Sequence, residues 1–421
     1  MRVILNSSFP KNILLLIVTL SSPSLLITYF LIVSGINITI FRYFLLITTI
    51  IVAISGIRRY QLTYFQRRIQ FTIIIILFYL LINWNTEIIF SGSPRSVFRT
   101  ILLSPFIMII LNDRKFNLNK FINLFIFIAF VLASLSIIQY FGSPLGLINL
   151  KPAGILRSSQ ESNFIGIGGI YPNSGEIGFG GIIARNHGFF SEPTNFAQFL
   201  LVPMFLSSYK LLKNKNLLNI FIFSSIVLAF FLTFSVACFF GVITGLLVFF
   251  LVKMKNSKLK KSILNSKLVS LLIFCLLIFS LLYFYNFTNQ RSDIHVLAKG
   301  TSIGFDYRME RNIIYFDRIS KHPLGDINFK HVYVSNPGLI GNISLAGGYP
   351  LLLSMLFFFV YYFKIIYKQM IKSKYLLVYV GLFAYFIPAL WDATFYENYF
   401  LFLFVFYSTF MKYDQMGYEI I

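Results

Sequence analysis

All four histidines of the chain, His187, His295, His322 and His331, fall within two stretches, 142–194 and 287–342. Histidine is the side chain best suited to moving a proton near neutral pH. Its confinement marks chemistry in those stretches, or it reflects only the general retreat of polar residues from apolar sequence. Around His187 runs Arg185-Asn-His-Gly-Phe-Phe-Ser-Glu-Pro-Thr-Asn-Phe-Ala-Gln-Phe199, which leads straight into an apolar run. Pro193 suits the first turn of a helix there. Arg185 above a helix N-terminus makes an anion site, and His187 and Glu192 beside it are candidates to take a proton. The alternative is that Arg185 and Glu192 pair with each other as a structural clamp. The glycine-rich tract 166–181 just upstream lacks the strand and helix context of a nucleotide fingerprint and reads as a flexible or re-entrant loop.

The second stretch carries Asp306-Tyr-Arg-Met-Glu-Arg-Asn-Ile-Ile-Tyr-Phe-Asp-Arg-Ile-Ser-Lys-His-Pro-Leu-Gly-Asp326. At helical spacing Tyr307, Arg311, Ile314, Tyr315 and Arg318 share one face, Arg308 lies within a turn of Arg311, and Ile313, Phe316 and Ile319 line another side. The spacing predicts an amphipathic helix ended by His322-Pro323. Its clustered guanidinium groups suit a diphosphate. An ordinary surface helix bound to acidic lipid would carry the same pattern.

The elements that would position these residues are apolar. The chain has 421 residues, of which 57% are hydrophobic and only 12% charged, with 51 Phe and 25 Tyr. Soluble domains carry about 25% charged residues, so the apolar surface here must face lipid. A hydrocarbon core about 30 Å thick needs roughly 20 apolar residues per helix. Twelve spans are expected, near 12–33, 37–57, 69–89, 97–111, 119–141, 195–211, 217–234, 235–252, 268–286, 343–363, 375–391 and 396–411. The run 217–252 is too long for one helix and is split at Thr233–Ser235. The expectation is an all-α polytopic bundle, 1–421, with large extracytoplasmic loops at Gly142–Thr194 and Phe287–Asn342.

Charge fixes the orientation. The net charge of +22 is not a nucleic-acid signature, because the basic residues sit in short clusters between apolar runs. Of 36 Lys and Arg, 23 fall on alternate connections, among them Lys11, Arg67, Arg68, Arg114, Lys213, Lys372 and Lys412. Eleven of 14 acids fall on the other side. An excess of Lys and Arg marks cytoplasmic loops, so both ends of the chain are expected in the cytoplasm. Trp84 and Trp391 then sit at outer helix ends, as in an interfacial aromatic belt. The apolar N-terminal stretch is longer than a usual signal peptide and lacks an obvious cleavage site, so it reads as an uncleaved first helix. Cys238 and Cys275 lie inside apolar runs and form no disulfide framework or metal pattern. The cytoplasmic connections leave no room for a nucleotide-binding domain and hold no P-loop.

Three segments carry a resemblance to a family. They are Arg185…Gly188-Phe189…Glu192-Pro193…Ala197 leading into a span, Arg308…Ile319…Pro323-Leu324-Gly325, and Ser335-Asn336 followed by Gly347-Gly348. Together with the topology, the pattern resembles the Wzy-type polysaccharide repeat-unit polymerases, within the superfamily that includes the O-antigen ligases. Ser335 stands where that family usually has His, and His331, four residues earlier, is the candidate substitute.

The resemblance implies a glycosyltransferase of the bacterial cytoplasmic membrane, acting at the outer leaflet on undecaprenyl-diphosphate-linked oligosaccharides. A chain-length regulator and a flippase are its expected partners, and it needs no nucleic acid, metal or cofactor. Arg185, Arg308, Arg311 and Arg318 are the expected diphosphate contacts, with His187, Glu192 or His331 as the base. A ligase of the same superfamily is the near alternative. A flippase for the same lipid-linked units is a further one, although carriers place ionisable residues inside their spans.

Overall fold

The computed structural model describes residues 8–20, 38–56, 62–72, 103, 105–114, 116–142, 186, 188, 190, 193–233, 235–256, 320–325, 339–391 and 398–420. Among these residues the chain is helical, with no β-strand. The helices are α1 (Ser8–Leu20), α2 (Ile38–Gly56), α3 (Leu118–Gly142), α4 (Pro193–Lys213), α5 (Leu217–Leu232), α6 (Val236–Asn256), α7 (Leu339–Lys372), α8 (Leu376–Trp391) and α9 (Asn398–Gln415). Shorter helical stretches cover 64–72 and 105–111.

Helix boundaries follow local chemistry. The long apolar run breaks where expected, with α5 ending at Leu232 and α6 starting at Val236. Thr233 Oγ1 donates to the Phe230 carbonyl at 2.7 Å and accepts from the Ser235 amide at 3.3 Å. These hydroxyl contacts compete with the helical ladder and turn the chain. The helix expected from 69 begins earlier, at 64, because Thr63 and Gln66 form a capping box. Thr63 N–H donates to Gln66 Oε1 at 2.9 Å, and Gln66 N–H donates to Thr63 Oγ1 at 3.3 Å. Arg67 and Arg68, expected in a connection, therefore lie inside a helix. The Arg68 guanidinium donates to Tyr361 on α7 at 3.0 Å and also to Tyr64.

Helix α7 runs past its expected end at 363 to Lys372, with Lys364, Lys368 and Lys372 exposed at i, i+4 spacing. The expected span 268–286 lies outside the described residues, as do much of 12–33, 69–89 and 97–111.

Helix directions define two ends. Lys210 near the end of α4 donates to Asn123 near the start of α3 at 2.8 Å, while Ser136 near the end of α3 meets Asn186, just before α4. Hence α3 and α4 run antiparallel. Helices α7 and α9 run parallel, tied by Tyr362 Oη donating to the Phe404 carbonyl at 2.7 Å and by Gln369 Nε2 donating to Asp414 at 2.8 Å. Helix α8 opposes both α4 and α9, since Tyr375 packs on Tyr209 and Tyr379 Oη donates to Asp414 at 2.9 Å. Lys210, Lys213, Lys372 and Lys412 thus gather at one end, and the starts of α4, α6 and α7 lie at the other.

At the lysine end sits a buried polar network. Lys11 Nζ pairs with Asp113 at 2.5 Å, with side chains 2% and 1% exposed. Asn112 Oδ1 accepts from Gln66 at 2.9 Å and from Lys412 at 3.3 Å, while its Nδ2 donates to Thr409 at 3.0 Å. Lys11, expected in an open connection, is instead a buried ion-pair partner; removing either member would strand the other charge.

Packing between helices rests on rings and on small residues. Phe121, Phe125, Phe199, Phe402 and Phe406 form one buried set across α3, α4 and α9. Helix α6 carries Gly241-Val-Ile-Thr-Gly245 against α8. A Cβ built on Gly241 would lie 2.2 Å from the Ala384 carbonyl oxygen, and one on Gly245 would lie 3.0 Å from Ala384 Cβ. Such glycines let the two helix backbones approach closely. Outward faces stay apolar. Ile40, Phe44, Ile47, Ile51 and Ile54 run along α2, and Leu353, Leu356, Phe357 and Val360 along α7, with Phe357 73% exposed. Among the described residues two helices, Leu118–Ile138 and Gly348–Lys372, are long and apolar enough to cross a membrane, and Tyr43–Ile54, Leu217–Leu232, Ala237–Lys253 and Leu376–Phe386 are shorter apolar helices.

Candidate functional site

Both sequence segments singled out for chemistry are anchored at the end of the bundle opposite the lysines. The first is held by Asn186, which is fully buried. Its N–H donates to the Leu232 carbonyl at the end of α5 (2.9 Å), its Nδ2 donates to Ser136 Oγ on α3 (3.3 Å), and its Oδ1 accepts from Gly188 N–H (2.9 Å). The last bond closes an Asx turn, a conformation the short Asn side chain favours. Gly188 has φ +52°, and a Cβ there would lie 2.8 Å from the Phe196 ring. Only glycine meets both demands without strain. Phe190 then packs on Phe196 and Phe199 of α4, with centroids 5.2 Å away in each case. One asparagine, one glycine and one phenylalanine thereby tie the segment to α3, α4 and α5.

The second segment meets α7. Residues 320–321 are helical, and the helix ends before His322-Pro323 as the proline requires. Gly325 N–H donates to the His322 carbonyl at 3.0 Å, closing a turn, and Tyr349 N–H donates to the Pro323 carbonyl at 2.9 Å. Helix α7 is broken at Gly348 (φ 59°, ψ −156°). A Cβ on Gly348 would lie 2.1 Å from the Pro323 oxygen and 2.5 Å from the Gly325 nitrogen. The turn Pro323-Leu324-Gly325 therefore sits directly on a glycine that can carry no side chain. Two of the three sequence segments behind the family resemblance are in backbone contact here.

All seven expected site residues, Arg185, His187, Glu192, Arg308, Arg311, Arg318 and His331, lie outside the described residues. The described parts of the two segments attach through Asn186, Gly188 and Phe190 and through Pro323 and Gly325. His322 is described and exposed. No group of three or more His, Cys, Asp or Glu residues able to hold a metal is found among the described residues.

The sequence reading passed over Asn186, although Asn two residues before a Gly is a turn signal. It also passed over the Gly241-x-x-x-Gly245 face and over Gln198, whose amide makes no hydrogen bond to any protein atom although the residue is 2% exposed. Nothing local in the sequence distinguishes that glutamine. Compared with known protein families, with curated proteins and with solved structures, the chain matches none.

Proposed function

We propose that the chain is a multi-pass membrane glycosyltransferase of the Wzy type, which joins undecaprenyl-diphosphate-linked oligosaccharide units at the outer leaflet of the bacterial cytoplasmic membrane. The bundle is read as twelve spans with both ends in the cytoplasm. The reading is carried by one observation. Segments remote in sequence, Asn186–Phe190 and Pro323–Gly325 with Gly348, are anchored at the same end of the bundle, opposite the lysine-rich end. Lysine-rich ends face the cytoplasm, so the two segments fall on the outer side, where no nucleotide is at hand. The apolar outward faces of α2 and α7 fit a lipid surround.

In this reading the acceptor hydroxyl oxygen attacks the anomeric carbon of the growing chain. A new C–O bond forms, the bond to diphosphate breaks, and undecaprenyl diphosphate leaves. His187, Glu192 or His331 takes the hydroxyl proton. Arg185, Arg308, Arg311 and Arg318 stabilise the charge that develops on the leaving diphosphate. A carrier would need ionisable groups along its spans; the buried charged side chains among the described residues, Lys11, Asp113 and Lys412, lie at the lysine end instead.

The test is chain growth by the purified protein in proteoliposomes supplied with lipid-linked repeat units. Arg185→Ala and Arg311→Ala should abolish growth without loss of folded protein. Absence of polymer from the wild type would overturn the function, and full activity in both variants would overturn the site. A ligase would instead move finished polymer to a different acceptor, and cells lacking it would accumulate long lipid-linked chains rather than single units.

A further inference from the structure

We propose that Gln198 on α4 and Ser235 at the start of α6 form a subsite for a hydroxyl-bearing group, the sugar portion of the substrate; this rests on the function proposed above. Both side chains are buried, at 2% and 1% exposure. Gln198 Nε2, Gln198 Oε1 and Ser235 Oγ make no hydrogen bond to any protein atom. Buried polar groups are almost always paired, so three orphaned atoms on two residues require an explanation. Two other buried side-chain atoms among the described residues share this state. Asn12 Oδ1 belongs to the lysine end beside Lys11, and Ser134 is two residues from Ser136, on the opposite side of α3 from the Asn186 contact.

Local geometry places the two residues along the seam between α4 and α6, Ser235 on the outer side of the Thr194–Cys238 contact and Gln198 one turn inward of it. Cys238 Sγ lies 3.8 Å from the Thr194 carbonyl oxygen, setting the first turns of α4 and α6 side by side. Gln198 is one turn below Thr194 on the same face of α4. Ser235 is three residues before Cys238, and its backbone is fully used. Its N–H donates to Thr233 Oγ1 at 3.3 Å, and its carbonyl accepts from Phe239 at 3.0 Å. Only its hydroxyl is left over.

The chemistry of the orphaned atoms selects the ligand class. A glutamine amide offers two N–H donors and one carbonyl acceptor, and a serine hydroxyl both donates and accepts. A phosphate oxygen only accepts and would leave Gln198 Oε1 unpaired. Sugar hydroxyls both donate and accept, so neighbouring hydroxyls of one saccharide can pair with the carbonyl and amide of Gln198 and with the hydroxyl of Ser235. The seam lies at the same end of the bundle as Asn186 and Gly348, where the lipid-linked saccharide is to be bound.

The test measures binding rather than turnover, on the full-length protein in nanodiscs. Two probes are used: the lipid-linked repeat unit extracted from the producing cells, and undecaprenyl diphosphate without sugar. Gln198→Met and Ser235→Ala should each weaken the first probe about tenfold, the order expected for the loss of one hydrogen bond. Affinity for the second probe should not change. Equal affinities of wild type and variants for the saccharide-bearing probe would overturn the subsite and leave the two side chains holding structural water only. An equal loss for both probes would overturn it as well. If the wild type binds neither probe, the proposed function fails first. Should Gln198→Met not fold, Ser235→Ala, which removes a single oxygen atom, decides the matter alone.

Discussion

The two ends of the helical bundle are built on opposite principles. At the lysine end the buried charged and amide groups, Asn12 Oδ1 excepted, are closed upon one another. Lys11 meets Asp113, Asn112 joins Gln66, Thr409 and Lys412, and Asp414 accepts from Tyr379 and Gln369. Tyr375 Oη accepts from Ile420 N–H at 2.9 Å and folds the C-terminal residues back onto the helices. At the other end the two loop segments rest on glycines with positive φ, Gly188 and Gly348, and buried side chains at Gln198 and Ser235 lack protein partners. A satisfied buried network stabilises one structure, whereas backbone that only glycine can adopt and unmet polar groups gather where a protein acts on something else. One end holds the fold, and the other is arranged for a ligand.

That contrast can be broken most forcefully at Asp113. Asp113→Ala leaves the buried Lys11 ammonium unpaired and should cost roughly 3–5 kcal/mol. The readout is the melting temperature of the purified protein, and replacing both Lys11 and Asp113 by leucine should restore most of the loss. An unchanged melting temperature for the single variant would remove the lysine end from its structural role.

At the opposite end the effect should be on activity. Gly348→Ala forces a side chain toward the Pro323 carbonyl and into positive φ, a strain of about 1–3 kcal/mol. Chain growth should fall about tenfold or more, with a far smaller drop in melting temperature than Asp113→Ala produces. Equal damage to stability by both changes would erase the distinction.

A milder version is Asn186→Ala, which removes two side-chain hydrogen bonds, to Ser136 and from Gly188. A cost of about 1 kcal/mol per lost bond is expected, visible as a severalfold reduction in polymer formed at fixed time.

The smallest effect concerns the exposed pair of Lys213 with Glu419, 2.5 Å apart. The hydrogen bond from Lys213 holds the Glu419 carboxylate below its ordinary range and raises Lys213. What the pair contributes is therefore present above the usual carboxylate range and lost as pH falls through the lowered value of Glu419. On the alkaline side it is lost as pH rises through the raised value of Lys213. Solvent screens this pair, so Glu419→Gln should leave the melting temperature at neutral pH unchanged. It should only speed hydrogen exchange at the Ile420 amide, and acidification should do the same to the wild type but not to the variant.

Much of the helical framework was legible in the sequence, for local reasons. Apolar run length locates α3 through α6 and α8 to within a few residues, and the Thr233 hydroxyl marks the break between α5 and α6. The early start at 64 was also written locally, in the Thr63–Gln66 capping box, but the arginines that follow disguised it as a connection. For the candidate site, the sequence named the segments but not their anchors. Asn186 and Gly188 carry turn chemistry that can be read locally, whereas the bond from Asn186 to Leu232 joins residues separated by two helices.

By itself, then, the sequence determined where most of the described helices form, which end of the bundle gathers the lysines, and which segments hold histidine and arginine. Each follows from interactions within a few residues or from the cost of placing charge in an apolar run. The tertiary structure alone decided that Lys11 is buried against Asp113, that Pro323 rests on Gly348, and that Gln198 and Ser235 are enclosed without partners. Whether a polar side chain is satisfied depends on atoms brought to it from remote parts of the chain, and those arrive only when the helices pack.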